Sequence, residues 1–361
     1  MIGVFFGGVS CEHEVSVLTG LTMFGFLEGQ KRAVYLDREG RWWSGKGPQS
    51  LEWFRAGRPE RAAEEVVLLP GSPTLYRKKG SRLKPLCELS CALVCCHGRQ
   101  GEDGCLQGLF ELCGIPYTSA GVAASAVGMD KALTKQLLAG RIPQLPFEVL
   151  EKEAFRQGKL PANRFPLIVK PARGGSSVGV GVAKDEAGLV SALTEAFRYD
   201  EKAVIEPWLT DFEEYNCSAF ACGGRVMVSG LERPLRSREI LTYADKYQKG
   251  NYKAGKGGAG ADPGLTRKIR EMTAEVYRLL ELSGVVRADF LVRGGEVCFN
   301  EVNTVPGSLA FYFWEKEGIP PNKLLSLLTG EARERAAEKK ELCSRFPTAI
   351  LRTAGLNSCK K

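Results

Sequence analysis

Short apolar runs that stop at glycines or polar corners recur along this chain. The first is IGVFFGG, from Ile2 to Gly8, and CALVCCHG, from Cys91 to Gly98, repeats its design. Each is short enough for a buried strand, and stretches with helix-like apolar spacing follow, such as CLQGLFELCGI. Alternating strand, loop and helix predicts an α/β domain over residues 1–120 built on a parallel sheet, whose ligands gather at the carboxyl ends of the strands.

Beyond that the pattern changes. MDKALTKQLLAG predicts a helix with Asp130 near its start, stopped by Gly140 and Pro143. FPLIVKPARGGSSVGVGVAKDEAGLVSAL reads as strand, glycine loop, strand and helix, and KAVIEPWL as a strand ending in a corner. These make a second, α+β domain over 121–215. A third, over 216–330, takes in the hairpin EEYNCSAFACGGRVMVSGLERPL with its turn at Gly223 and Gly224, the helix TRKIREMTAEVYRLLELSG, and two strands, VVRADFLVR and EVCFNEVNT. In YADKYQKGNYKAGKGGAGADPG glycine and lysine dominate and no apolar period survives, so it is expected to be a lid or binding loop. The charged segment 331–361 is expected to form a surface helix.

Composition narrows the class. The 361 residues are 44% apolar and 25% charged, as in a soluble globular protein, and no run is long and apolar enough to span a membrane. The first residues read as a strand entering a loop and not as a secretion signal, so the expected compartment is the cytoplasm. Twelve cysteines are about 3% of the chain and form no paired CxxC motifs, which argues against a disulfide scaffold or zinc site. The formal charge of +8 suits an anionic ligand, but the basic residues are dispersed without interleaved aromatics. A nucleotide is expected, and a nucleic acid is not.

Three constellations carry the chemistry. RGGSSVG, from Arg173 to Gly179, has the glycines and hydroxyls of a phosphate loop, and Lys170 ends the apolar strand before it. Asp289, Glu301 and Asn303 come from two strands joined by the tight turn RGGE, with Glu301 and Asn303 on one strand face; three oxygen ligands there suit Mg²⁺. The only two histidines, His13 and His97, lie in loops that carry acids, SCEHEVS and HGRQGEDG, which suggests an amino-acid site: Glu14 holding an ammonium, His97 a carboxylate or a proton. After NEVNTVPG the chain turns almost wholly apolar, SLAFYFWE.

Laid in order, GGVSCEHEVSVLTG, HGRQGEDGCLQGLFELCGIPYTSAGVAASAVGMDK, IVKPARGGSSVGV, DKY, RADFL and NEVNTVPG resemble the D-alanine–D-alanine ligases of the ATP-grasp superfamily over residues 1–330. The resemblance implies a three-domain ATP-grasp fold with a Rossmann-like N-terminal domain. It implies a homodimeric enzyme that joins two D-alanine molecules at the expense of ATP, for peptidoglycan synthesis. Lys131 and Lys170 would bind the nucleotide phosphates, Glu206, Pro207, Trp208 and Leu209 would form the adenine hinge, and Glu214 would take the ribose hydroxyls. Asp289, Glu301 and Asn303 would hold two Mg²⁺ (or Mn²⁺) ions, and Ser177 with Lys246 would close over the γ-phosphate. Glu14, His97, Ser176 and Tyr247 would line the amino-acid site, with Arg287 and the N–H of Gly307 facing the tetrahedral oxyanion. SLAFYFWE departs from the small polar residues that seat the acceptor's carboxylate in the family, which leaves a different amino acid or a hydroxy acid as the alternative acceptor. A nucleotide-binding relative without turnover is the non-enzymatic alternative.

Overall fold

The computed structural model describes residues 1–57, 62–161, 164–234, 262–343 and 348. Three sheets organise it. The first has seven strands: β1 (Ile2–Gly7), β2 (Lys31–Leu36), β3 (Trp42–Ser44), β4 (Glu64–Leu68), β5 (Thr74–Lys79), β6 (Arg82–Glu88) and β7 (Cys91–Val94), in the order β6-β5-β4-β3-β2-β1-β7. β1 pairs in parallel with β2 and β7, and Val4, Phe5 and Phe6 are wholly buried, as a strand covered on both faces must be. The parallel pairing stops there. From β2 to β6 the sheet continues as an antiparallel meander that the alternation of strand and helix does not foretell. Helix α1 (His13–Phe26) packs on β1, a short α2 (Leu51–Arg55) follows β3, and α3 (Cys105–Cys113) sets Phe110 against Phe5 of β1. Cys91, Cys95 and Cys96 are buried, and every cysteine among the described residues is a free thiol.

Next come α4 (Val122–Met129) and α5 (Lys131–Leu138). Asp130 separates them and caps α5, its carboxylate accepting from the N–H groups of Ala132 and Leu133. The second sheet is antiparallel, formed by β8 (Glu148–Glu151), β9 (Leu167–Pro171), β10 (Gly181–Ala183) and β11 (Lys202–Pro207) in the order β10-β9-β11-β8, with the short α6 (Lys152–Arg156) and α7 (Glu186–Ala196) beside it.

The third sheet holds β12 (Glu213–Cys222), β13 (Arg225–Glu232), β14 (Val286–Arg293) and β15 (Glu296–Asn303), in the order β13-β12-β14-β15, packed by α8 (Pro263–Leu279). Both of its hairpins turn on adjacent glycines with positive φ, Gly223 and Gly224 at 56° and 72°, Gly294 and Gly295 at 57° and 82°. Two successive positive φ values match the twist of the flanking strands, which is why Gly-Gly stands there. Two helices end the described chain, α9 (Phe311–Lys316) and α10 (Pro321–Glu341). α10 crosses residue 330 without a break and buries Leu324, Leu325 and Leu328 in the core of the first sheet, so the charged segment is rooted by the apolar face of this helix. No helix among the described residues is long and apolar enough to cross a membrane.

The apolar run after Gly307 also finds its partners in this core. Leu309, Phe313 and Trp314 are buried in it; Trp314 meets Phe220 edge-on at 4.5 Å, and Phe311 meets Phe26 of α1 at 5.3 Å. Its first duty is packing.

Candidate active site

Two adjoining cavities open between the sheets. One is lined by Lys131, Lys170, Gly174 to Val178, Glu206 to Leu209, Glu214, Asn300 and Glu301; the other by Glu12, His97, Glu102, Ser176, Arg287, Glu301, Asn303 and Gly307. Lys131, Gly174, Gly175, Ser176 and Glu301 line both, so a ligand in one cavity ends where a ligand in the other begins.

The first cavity sets Lys131, Lys170 and the hydroxyls of Ser176 and Ser177 among three carboxylates, Glu206, Glu214 and Glu301. The loop between β9 and β10 holds Ser176 and Ser177 at φ of 53° and 58°, a left-handed pair that turns the backbone back on itself. Lys131, the first residue of α5, reaches across to donate to the Gly174 carbonyl at 2.6 Å and lies 3.3 Å from Glu301. Lys170, on β9, donates to Glu206 at 2.6 Å and to Asn300 at 3.1 Å. Burial works against its ammonium, but the Glu206 carboxylate outweighs that and raises its pKa above the ordinary lysine value. Pro207 ends β11 without an N–H to give, so only carbonyls and the following amides are available along that edge.

The second cavity is acidic at its base. Glu12 accepts from the Ser176 hydroxyl at 2.5 Å, joining the loop before α1 to the glycine loop 164 residues away. Gly175 makes that approach possible, since a Cβ there would stand 2.5 Å from the Glu12 carboxylate. Burial, with the neighbouring Glu102 charge behind it, pushes the Glu12 carboxyl above its ordinary range. His97, also buried, bonds through Nδ1 to the Val305 carbonyl at 2.8 Å and through Nε2 to the Thr19 hydroxyl at 2.9 Å. Burial disfavours its imidazolium, but Glu102 and Glu12 more than offset this and its pKa lies above the usual value. Thr19 in turn accepts from the Ser308 N–H at 3.0 Å, which ties this base to the turn after Gly307.

At the seam, β14 and β15 bring acids together. Asp289 and Glu301 are direct cross-strand partners, and Arg287 pairs with Asn303. Asp289 is 3% exposed and accepts from Arg287 Nε and Nη2 at 2.7 and 2.8 Å and from Asn303 Nδ2 at 3.2 Å. Burial raises its pKa, Arg287 opposes that, and Glu301 and Glu214 add to it. Among the described residues no three His, Cys, Asp or Glu side chains converge on one point. The set is two carboxylates and an amide, a hard-oxygen group with a carboxylate repulsion that a divalent cation relieves, and it needs water or phosphate oxygens to complete a shell. It fits Mg²⁺ or Mn²⁺ held together with a nucleotide, and it does not fit zinc.

Most of the residues singled out in the sequence thus meet here, with four exceptions. Glu14 does not. It lies one residue inside α1, about 200° around the helix from Glu12, and points outward to an ion pair with Arg38 at 3.2 Å. Glu12, at the cap position, is the carboxylate that enters the cavity, and the helix start at His13 is the signal that separates the two. Lys246 and Tyr247 lie outside the described residues. The two histidines also part company, since His13 is spent on the Gly8 carbonyl and the Tyr35 hydroxyl. Asn300 escapes a reading based on strict alternation. A β-bulge between Asp289 and Phe290 leaves it unpaired on β15 and brings it to the wall of the first cavity beside Glu301.

Comparison with known proteins decides the family. The D-ala D-ala ligase N-terminus model matches residues 1–120 and the D-ala D-ala ligase C-terminus model matches residues 137–329. The chain belongs to the D-alanine–D-alanine ligase family. It is 33% identical to the D-alanine–D-alanine ligase of Thermosipho melanesiensis, covering 94% of this chain and 95% of that one. Among solved structures, the D-alanine–D-alanine ligase from Coxiella burnetii superposes with a TM-score of 0.77 at 29% identity, over 94% of this chain and 95% of the other. The VanG D-Ala:D-Ser ligase from Enterococcus faecalis superposes equally well, TM-score 0.77 at 25% identity, over 92% and 98%. The ATP-grasp architecture expected from the sequence is the one observed.

Proposed function

We propose that this protein joins two D-alanine molecules into D-alanyl-D-alanine in peptidoglycan synthesis, with ATP as the energy source and ADP and phosphate as products. The observation that carries this reading is the junction of the two cavities at Lys131, Ser176 and Glu301: a cavity that holds two lysines and the glycine loop opens directly onto one with Glu12 and Glu102 at its base. Nucleotide phosphate on one side then meets an amino acid on the other.

In this reading the first D-alanine lies with its ammonium toward Glu12 and its carboxylate toward the γ-phosphate, in the cavity walled by His97 and Ser176. One carboxylate oxygen forms a bond to the γ-phosphorus as the bond to ADP breaks. Lys131, Lys170 and Ser177 orient the phosphates and offset their charge, and Glu206 to Leu209 with Glu214 seat the nucleoside. The amine of the second D-alanine, having released a proton to solvent water, attacks the resulting acyl phosphate. Phosphate leaves, and the oxyanion formed on the way faces Arg287 and the Gly307 N–H. Asp289, Glu301 and Asn303 would hold two Mg²⁺ or Mn²⁺ ions, whose chemistry is to neutralise charge on the transferring phosphoryl. We further propose a cytoplasmic homodimer, with Lys246 and Tyr247 over the closed site.

A second reading keeps the chemistry and changes the acceptor. It is favoured by the segment after Gly307, where Tyr312 stands against Arg287 and Glu232. Phosphate release from Mg-ATP, with product mass measured for D-alanine alone and for D-alanine with D-serine or D-lactate, separates the two. Dipeptide from D-alanine alone supports the first; a mixed product formed only with another acceptor replaces it with the second. ATP hydrolysis that no amino acid stimulates removes both.

A further inference from the structure

Lys135 lies outside both cavities, and no part of the proposed chemistry uses it. It sits on α5 one turn after Lys131, so the two ammonium groups leave the same face of the helix, an arrangement that costs stability unless each finds an anion. Lys131 has Glu301. The Lys135 side chain is 2% exposed and its Nζ lies 2.5 Å from Glu206 Oε1, while Lys170 occupies the other oxygen, Oε2, at 2.6 Å. The Glu206 side chain is itself 1% exposed. One buried carboxylate therefore carries two ammonium groups, and only one of them, Lys170, lines the nucleotide cavity.

That asymmetry has a consequence for charge. Glu206 and Lys170 alone would sum to zero, and a neutral pair attracts a polyanion weakly. With a protonated Lys135, whose pKa burial lowers and the Glu206 carboxylate pulls back up, the three groups carry one net positive charge. Because Lys135 is sealed from the cavity, that surplus can be used only at Lys170, whose remaining contact is the neutral Asn300 amide oxygen at 3.1 Å. We propose that Lys135 is a positioning residue for the nucleotide: it neutralises Glu206 from behind, and so leaves the Lys170 charge available to the phosphates. Lys135 also accepts, at its backbone carbonyl, the Gln144 side-chain amide at 2.7 Å, and its ammonium lies 5.6 Å from the centre of the Phe147 ring, so its place is fixed from two further sides.

The inference rests on the ATP reading above, and its test is binding of ATP and ADP, measured by calorimetry on the full chain without amino acid. Lys135→Met should weaken both nucleotides by roughly tenfold or more, since a charge interaction at a buried site is at stake. Lys135→Arg keeps the cation behind Glu206 and should hold both affinities within about threefold of the parent. Adenosine, which carries no phosphate, should bind Lys135→Met within about threefold of the parent, so that the loss is read at the phosphates; if Lys135→Met fails to fold, Lys135→Gln, which removes the charge and keeps a polar group beside Glu206, takes its place. Parental affinity for ATP and ADP in the charge-removing variant, or an equal loss for adenosine, overturns the inference and reduces Lys135 to packing. A parent chain that binds neither nucleotide overturns the ATP reading itself, a separate and distinguishable result.

Discussion

The Glu12 carboxylate accepts a 2.5 Å hydrogen bond from the hydroxyl of Ser176, and this contact joins the loop before α1 to the glycine loop between β9 and β10. It brings the two halves of the site into one reaction volume. Glu12→Gln keeps the shape and removes the charge that would hold a substrate ammonium, so it should lower kcat/KM for D-alanine by about a hundredfold, as expected when a positioning group is lost. Glu14→Gln breaks only a surface ion pair and should leave activity within about twofold of the parent. Steady-state kinetics on the two variants side by side checks the assignment; equal losses would return Glu14 to the site.

Metal dependence follows from Asp289 and Glu301 facing each other across β14 and β15. Chelation should abolish turnover, and Mg²⁺ or Mn²⁺ should restore it. Glu301→Gln should cut kcat by several powers of ten, because stabilisation of the transferring phosphoryl worth several kcal/mol depends on that charge. It should also remove the Mg²⁺ dependence of ADP binding, which calorimetry reads without any turnover. A variant with parental Mg²⁺ dependence would exclude Glu301 as a ligand.

The turn after Gly307 is strained. Ser308, Leu309 and Ala310 have φ of 52°, 48° and 51°, three successive residues in a region that costs a side-chain-bearing residue about 1–2 kcal/mol each. Ser308→Gly should therefore leave stability unchanged or raise it by up to about 1 kcal/mol, whereas the β-branched Ser308→Val should lower it by more than that. Chemical denaturation of both variants measures the difference, and a destabilising glycine with a neutral valine would refute the strain.

Trp314 tests whether the apolar run is core before it is pocket. Its ring is 1% exposed, and its indole N–H donates to the Ser218 hydroxyl at 3.1 Å. Trp314→Ala should cost about 3–5 kcal/mol by the cavity it leaves. Unfolding midpoints fall accordingly in the absence of ligand. A change in acceptor preference with parental stability would instead make Trp314 a wall of the substrate cavity.

What the chain fixes by itself is local and periodic. The apolar runs of β1 and β7, the Asp130 cap, the glycine pairs of the two hairpins and the glycine loop can all be read from composition and spacing, because each depends on neighbours within a few residues. The order of motifs likewise gives the family and most of the residues that meet at the site. Tertiary structure decided the rest. Whether Glu12 or Glu14 enters the cavity depends on where α1 starts and how it is rotated on β1. Asn300 reaches the nucleotide wall through a bulge that breaks the two-residue alternation, and SLAFYFWE is core because α1, β12 and α10 close over it. Lys135 earns a role only because α5 and β11, far apart in sequence, set its ammonium against Glu206. Such pairings are made by packing between distant segments, and no local pattern records them.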